Sequence, residues 1–221
     1  MFNPETLNAA EEVPVASETG RCKDIFEAVS KGNLSEVERF VNEGVDINVK
    51  SCTYFLLTLA ADRRETEIVR FLCQSGAYVE QKTRGFPNFS HVSELTSESV
   101  PAGFTPIFYA AHNGVATVKC LVEEFGANSN AKNGVGETPL FYAARIGNLE
   151  PVKYLCEDCH ANVEAKNNWG ETPIWYAISS ENLDVVKYLC ENRKATISKE
   201  LFDLDMSDEI KEYPEQELQG R

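Results

Sequence analysis

The chain has 221 residues, of which 43% are hydrophobic and 25% charged, and its formal net charge is −14. This composition supports a folded core, but the negative field would repel a phosphate backbone, so we expect no nucleic-acid partner. No run of about eighteen apolar residues occurs, so we also expect no membrane span. The negative net charge instead favours a basic protein as the partner.

The first 22 residues are predicted to be a disordered acidic tail. The first 20 contain four acidic residues and no Lys or Arg, so they lack the basic and apolar regions of a secretory signal. The seven cysteines are an odd number and too sparse for a small disulfide-stapled scaffold. We therefore expect an intracellular, cytoplasmic protein, and nothing in the sequence separates cytosol from nucleus.

Two stretches then share one pattern, in which a first predicted helix with apolar residues is followed by a second one, and a Gly comes after it. The first is DIFEAVSKGNLSEVERFVNEGVDINVK, within residues 23–50, and the second is FLLTLAADRRETEIVRFLCQSGAYVEQK, within residues 51–82. The second keeps the pair Ala60-Ala61 and has Phe55 and Leu56 where later copies have Thr-Pro. We interpret the first as an N-terminal capping unit, because an end unit needs one wetted face.

An insertion of residues 83–102, TRGFPNFSHVSELTSESVPA, follows the second unit. Its four Ser, two Pro and one Gly predict a surface loop. Such insertions often belong to a binding face, and a tolerated mobile loop is the alternative.

Three clearer copies come next, beginning GFTPIFYAAHNG, GETPLFYAARIG and GETPIWYAISSE. Thr105, Thr138 and Thr172 recur at intervals of 33 and 34 residues. This pattern resembles the ankyrin repeat, with its T-P-L-H-x-A signature and 33-residue period. The resemblance implies an all-α solenoid of stacked helix-turn-helix units with hairpin-like turns, over residues 23–195. The three clear units are placed at about 103–132, 133–166 and 167–195.

Each recurring residue type in a unit has a structural role. Thr138 is predicted to cap the first helix with its hydroxyl, and Pro139 sits where a missing N–H costs little. Ala143 and Ala144 allow close helix approach. Gly147 should end the first helix and Asn148 should cap the second. Three residues should share the buried face of the second helix: Val152, Leu155 and Cys156.

The stretch CEDCH, residues 156–160, matches the pattern that attaches a c-type haem. The repeat offers another explanation, because Cys156 occupies the same position as Cys73 and Cys190, the last apolar position of the second helix. Cys159 and His160 then fall in a turn. A zinc site would need four converging ligands and has no evident fourth. We therefore expect no cofactor and no metal.

After Ala195 the repeat pattern ends. Residues 196–221 are predicted to hold a short capping helix, with Ile197, Leu201 and Leu204 over the last repeat, followed by an acidic disordered end. An acidic recruitment tail is the alternative.

The signature His is absent from this chain. Its position holds Phe108, Phe141 and Trp175, each followed by a Tyr, which predicts two aromatic ladders held by ring packing in place of hydrogen bonds. The first ladder is expected to be core, whereas the tyrosine hydroxyls could be buried or could face a partner.

No phosphate-binding or nucleophile motif is present, so we expect no enzyme activity. The resemblance implies instead a protein-binding module that uses turn tips and first helices. Trp169 is the strongest candidate anchor, with packing against the preceding turn as the alternative. The full candidate set is Asp62, Arg63, Phe104, Tyr109, His112, Asn113, Val135, Glu137, Tyr142, Arg145, Ile146, Trp169, Glu171, Tyr176, Ser179 and Ser180.

We expect a monomeric adaptor or regulatory binder. An inhibitor that plugs a partner enzyme's cleft and a targeting module of a host-directed effector are the alternatives.

Overall fold

The computed structural model describes residues 23–49, 55–84 and 102–197. The predicted tails 1–22 and 198–221 and most of the insertion, residues 85–101, lie outside these ranges, as do Leu201 and Leu204. Within them, ten α-helices and two short strands follow one another. Their bounds are α1 Ile25–Ser30, α2 Leu34–Asn42, α3 Leu56–Asp62, α4 Thr66–Gln74, β1 Thr83–Arg84, β2 Ala102–Phe104, α5 Pro106–Asn113, α6 Val115–Lys119, α7 Pro139–Ile146, α8 Leu149–Glu157, α9 Pro173–Ser179 and α10 Leu183–Glu191. A π-helical turn, Cys120–Glu124, continues α6.

The helices form antiparallel pairs that stack in chain order. The odd-numbered helices pack in one row, α1 to α9, and the even-numbered helices form a second row behind them. This confirms the predicted all-α solenoid of stacked helix-turn-helix units. Neighbouring units shield each other's apolar faces, as quasi-one-dimensional repeat folds require.

The core follows the repeat positions that the sequence indicates. Both alanines of the Ala143-Ala144 pair are fully buried, as are Val152, Leu155 and Cys156. Gly147 ends α7 in the left-handed conformation, at φ 79°, where an added Cβ would collide with the side-chain oxygen of Asn182 in the next unit. A larger residue at 147 would therefore displace the Asn182 side chain from its hydrogen bonds to the carbonyls of Ala144 and Arg145.

Two predicted capping bonds are wrong in their chemistry, although the capping positions are right. Thr138 and Asn148 precede α7 and α8, but neither side chain accepts a backbone hydrogen bond there. The Thr138 hydroxyl, like those of Thr105 and Thr58, is buried without a hydrogen-bond partner among the described residues. In the units of Thr105 and Thr138 the position of the signature His holds a Phe, whose ring offers no donor, whereas Thr58 itself occupies that position in its unit.

The ends of the insertion also differ from the predicted loop. Thr83 pairs with Phe104 and Arg84 pairs with Ala102 in an antiparallel ladder with an irregularity between the two pairs. The insertion therefore starts and finishes on adjacent strands. These strands occupy the place of the hairpin-like turn in this unit, because Phe104 directly precedes the helix-capping Thr105.

Candidate functional site

Three hairpin-like turns lie side by side along one edge of the stack. Hairpin A consists of residues 82–84 and 102–104, hairpin B of residues 131–137 and hairpin C of residues 165–171. Between A and B the amide of Gly134 donates to the carbonyl of Ala102 at 2.6 Å, and between B and C the amide of Asn168 donates to the carbonyl of Val135 at 2.9 Å. Backbone hydrogen bonds thus tie all three into one hairpin row.

Hairpin B is closed from inside by an Asn, a Glu and a Tyr. The amide of Glu137 donates to Asn133 Oδ1 at 2.9 Å, and Glu137 Oε2 accepts from Asn133 Nδ2 at 2.8 Å and from the Tyr142 hydroxyl at 2.7 Å. Glu137 is only 4% exposed. A carboxylate buried this deeply is tolerated because donors surround it.

Hairpin C repeats the arrangement 34 residues later. Glu171 accepts from Asn167 Nδ2 at 2.8 Å, and its Oε2 lies 3.1 Å from the Tyr176 hydroxyl oxygen. The same hydroxyl lies closer to Glu137 Oε1, at 2.6 Å. Since a hydroxyl carries one proton, the shorter contact identifies Glu137 as its acceptor. This bond links the units of hairpins B and C.

Arg145 completes the cluster from the end of α7. Its guanidinium carbon lies 5.1 Å from the centroid of the Tyr142 ring and 5.9 Å from that of Tyr176, within the range of cation–π attraction. Burial lowers the pKa of Arg145, while the nearby Glu137 carboxylate acts against that change. Burial, followed by Glu137, raises the pKa of Tyr142. The cluster is therefore a largely buried polar network.

Hairpin A is closed differently. Thr83 stands in the position of the asparagines, and its hydroxyl lies 2.8 Å from that of Tyr109. Phe104 stands in the position of Glu137 and is fully buried. The Phe104 ring meets the rings of Phe108 and Tyr142 edge-on, each at 5.4 Å between centroids.

The ring contacts correct the prediction of two separate ladders. Phe108 packs edge-on against Tyr142 of the next unit, and Phe141 packs likewise against Tyr176, both at 5.5 Å. The contacts therefore cross from one predicted ladder to the other. Tyrosine hydroxyls add hydrogen bonds, so contact between units does not depend on ring packing alone.

Four candidate residues are buried, which corrects the expectation that Phe104 and Glu137 face a partner and agrees with the buried alternative for the two tyrosines. Phe104 and Tyr109 are fully buried, Tyr142 is 2% exposed and Glu137 is 4% exposed. They point into the stack because the hairpins close around them. Eight candidates are half-buried: Asp62, His112, Asn113, Val135, Arg145, Glu171, Tyr176 and Ser180.

The exposed candidates are Arg63, Ile146, Trp169 and Ser179. Trp169 is 63% exposed at the tip of hairpin C, so the alternative in which it packs against the preceding turn is wrong. Its own amide donates to Asn167 Oδ1 at 3.0 Å, which fixes the backbone that carries the indole.

Asparagines that cap neighbouring units were missed by sequence reasoning. Asn182 donates to the carbonyls of Ala144 and Arg145 at 2.9 and 2.7 Å. Asn113 donates to the corresponding carbonyl of Asp62 at 2.7 Å. The repeated Ala-Lys-Asn at residues 131–133 and 165–167 was the signal that could have revealed the inward-facing asparagines of hairpins B and C.

The CEDCH stretch takes up ordinary repeat positions. Cys156 is fully buried in α8, and burial raises the pKa of its thiol to about 12. His160 has φ 52° and Lys194 has φ 55°, in the position that Gly76 and Gly126 occupy in earlier units. In residues 23–49, 55–84 and 102–197, no group of three or more His, Cys, Asp and Glu side chains is placed to hold a metal ion.

Comparison with known proteins agrees with the architecture. A family model described as ankyrin repeats matches in three overlapping copies, over residues 25–133, 81–167 and 107–201. A mitochondrial disaggregase from Bos taurus is 29% identical over 140 residues, which cover 54% of this chain and 20% of that protein. The chain thus spans much less than two thirds of this relative. No helix in the described part of the chain has the length and apolar character to cross a membrane.

Proposed function

Because the chain belongs to the ankyrin-repeat family, we propose that it is a non-catalytic recognition module that binds a protein partner through the hairpin row and the ends of the odd-numbered helices. Ankyrin repeats generally mediate protein–protein interaction. The observation that carries the proposal is Trp169, an indole 63% exposed on a hydrogen-bonded turn. Exposed aromatic side chains on rigid supports are typical binding anchors.

Rigidity supports this mechanism. The backbone hydrogen bonds between hairpins and the Asn-Glu-Tyr closures beneath them order the row before any partner arrives. A preordered surface loses little conformational entropy on docking. Ile146, 45% exposed at the end of α7, gives the partner a second apolar contact.

The proposal includes a monomeric, intracellular and cytoplasmic protein, without excluding the nucleus. It includes long-range attraction of a basic partner, because the net charge of −14 acts over the whole chain. Salt should slow this association. We propose no disaggregase activity, since the match to a mitochondrial disaggregase covers 20% of that protein.

An adaptor is the reading we propose. An inhibitor that plugs an enzyme's cleft would differ by abolishing its partner's activity at a one-to-one ratio. A targeting module of a host-directed effector would bind its partner without inhibiting it, and the effector activity would reside in another chain.

The test is affinity capture from native lysate with the full chain and two variants. Trp169→Ala with Ile146→Ser alters the proposed face. Tyr78→Ala is the matched control, because Tyr78 is also 63% exposed but lies outside the candidate set. We expect the double variant to lose the captured proteins and the control to retain them. Identical partner sets for both variants would refute the assignment of the face.

A further inference from the structure

Each hairpin of the row directs one lysine away from the stack. In hairpin B, Ala131 and Asn133 are 8% and 6% exposed, while Lys132 between them is exposed. In hairpin C, Ala165 and Asn167 are buried to the same degree and Lys166 is exposed. Side chains of an extended segment alternate between two sides, so the inward asparagines fix the lysines outward.

Hairpin A has a lysine at the same position. Lys82 is exposed between the half-buried Gln81 and Thr83, which is 1% exposed. The backbone bonds between hairpins place the three lysines side by side along the row. Packed helices stand about 8–10 Å apart, so the backbone positions of the lysines should recur at about that spacing.

Four basic side chains elsewhere in the described ranges form ion pairs. Arg39 bridges Glu36 and Glu43, Arg70 bridges Glu67 and Glu124, and other cations pair similarly: Lys31 with Glu27 and Lys153 with Glu150. Lys82, Lys132 and Lys166 make no ion pair with any described residue. Other basic side chains, such as Arg63 and Lys194, also form no ion pair with a described residue, but the three lysines recur as exposed residues at one position of three adjacent hairpins, in a chain of net charge −14.

We propose that the hairpin row binds an acidic segment of a protein partner, with its carboxylates on Lys82, Lys132 and Lys166 and an apolar side chain against Trp169. Trp169 lies three residues after Lys166 in the same hairpin. The negative net charge of the chain attracts a partner that is basic overall. Contact with the three lysines requires an acidic segment, so the partner we propose is a basic protein that carries such a segment. The inference rests on the proposed function because it uses the same face.

A protein segment fits better than nucleic acid. The net charge of −14 would oppose the long phosphate chain of a nucleic acid beyond the three lysines, whereas a short acidic segment meets the row alone. Each exposed ion pair contributes up to about fivefold in affinity, so three together should give a salt-sensitive complex.

The experiment measures peptide binding to the full chain by fluorescence anisotropy. The probe is a labelled 12-residue peptide with Asp at every third position and Leu or Ser between, because a polyproline II segment has three residues per turn and rises about 9 Å per turn, which puts the Asp side chains on one face. Its control has Asn at each Asp. We expect the Asp peptide to bind at least about tenfold more tightly at low salt, since three pairs contribute up to fivefold each. Equal binding of the two peptides would overturn the proposal.

Matched charge reversals test the place of binding. K132E with K166E should weaken the Asp peptide by at least about tenfold, because two attractive contacts become repulsive. K119E with K187E makes the same charge change on the even-numbered helices and should alter affinity by less than about twofold, because these sites lie away from the row. Equal losses in both variants would mean that only net charge matters, which contradicts the proposal.

The chain's own acidic end is a rival occupant. It is tested in the full chain with D203N, D205N, D208N and E209Q together. Peptide binding that appears only in this variant would assign the row to residues 198–221 and overturn the assignment to a partner. Failure of these peptide tests, with partner capture still lost in the Trp169 variant, would leave the proposed function intact and remove this inference alone.

Discussion

Hairpins B and A solve the same structural problem with different chemistry. In hairpin B, Glu137 gathers donors from Asn133, Tyr142 and Tyr176 beneath the turn. In hairpin A, the corresponding Phe104 fills the space with a ring, and the Thr83 hydroxyl lies within hydrogen-bonding distance of the Tyr109 hydroxyl and the Phe104 carbonyl. Both support an exposed lysine and a backbone bond to the neighbouring hairpin. The exposed surfaces of hairpins A and B are therefore supported by interiors of different chemistry. We expect the two interiors to respond differently to mutation.

The apolar closure should be the more costly one to remove. Phe104→Ala should lower the free energy of unfolding by about 3–5 kcal/mol, because it deletes a fully buried ring and leaves a cavity. Phe104→Leu is the control and should cost less than about 2 kcal/mol, since it keeps most of the volume. Urea unfolding followed by circular dichroism measures both. Equal, small losses would show that hairpin A does not depend on this ring.

Removing the polar closure of hairpin B should cause the next largest loss in the free energy of unfolding. Glu137→Ala should cost about 2–4 kcal/mol, because it leaves hydroxyl and amide donors buried without an acceptor. Glu171→Ala removes the corresponding carboxylate of hairpin C, which is half-buried, so water can replace it and the loss should be smaller. If urea unfolding gives the reverse order, the central place of Glu137 in the network is wrong.

Alkaline pH should affect both hairpins through their tyrosines. Burial raises the pKa of Tyr109 and Tyr142 above the ordinary value of about 10. The folded state then holds protons that the unfolded state releases. The contribution of these tyrosines to the free energy of unfolding is therefore complete below about pH 10. Above that pH the free energy of unfolding falls by about 1.4 kcal/mol per pH unit for each tyrosine.

Tyr109→Phe and Tyr142→Phe should each reduce that slope by about one tyrosine's share. Urea unfolding between pH 9 and 11 measures the slope for each variant. A slope unchanged in either variant would mean that the hydroxyl concerned is accessible to water in the folded chain.

The smallest effect concerns the hydroxyl of Thr138, buried without a described partner. Thr138→Val should be neutral or stabilising by up to about 1 kcal/mol, because it removes an unsatisfied polar atom while keeping the shape. A capping threonine would instead lose about 1 kcal/mol. Thr172→Val is the comparison in the next unit, at a half-buried position. A clear loss at Thr138 in thermal unfolding would restore the capping role that the sequence predicted.

The sequence predicted the stack well because its signals are local. Thr138-Pro139 marks a helix start, Ala143-Ala144 a close approach and Gly147 a left-handed turn, and each follows from the chemistry of one or two residues. The burial of Val152 and Leu155 follows from helical periodicity.

The interior of the hairpins could not be predicted in the same way. Glu137 is charged and lies at a turn, which favours exposure, but donors from α7 and α9 surround it. Phe104 is buried because the rings of Phe108 and Tyr142 enclose it. The burial of both side chains depends on contacts with neighbouring units, so no local sequence pattern predicts it.

The account depends most on a hairpin row that is ordered before a partner binds. Hydrogen–deuterium exchange of the free chain, resolved by NMR, tests this directly at the amides of Gly134 and Asn168, which donate to neighbouring hairpins. We predict exchange at least about a hundredfold slower than in an unstructured peptide, as stable hydrogen-bonded amides show. Exchange of both amides at the unstructured rate, while the buried helices stay protected, would contradict preordered presentation of Trp169 and the lysines.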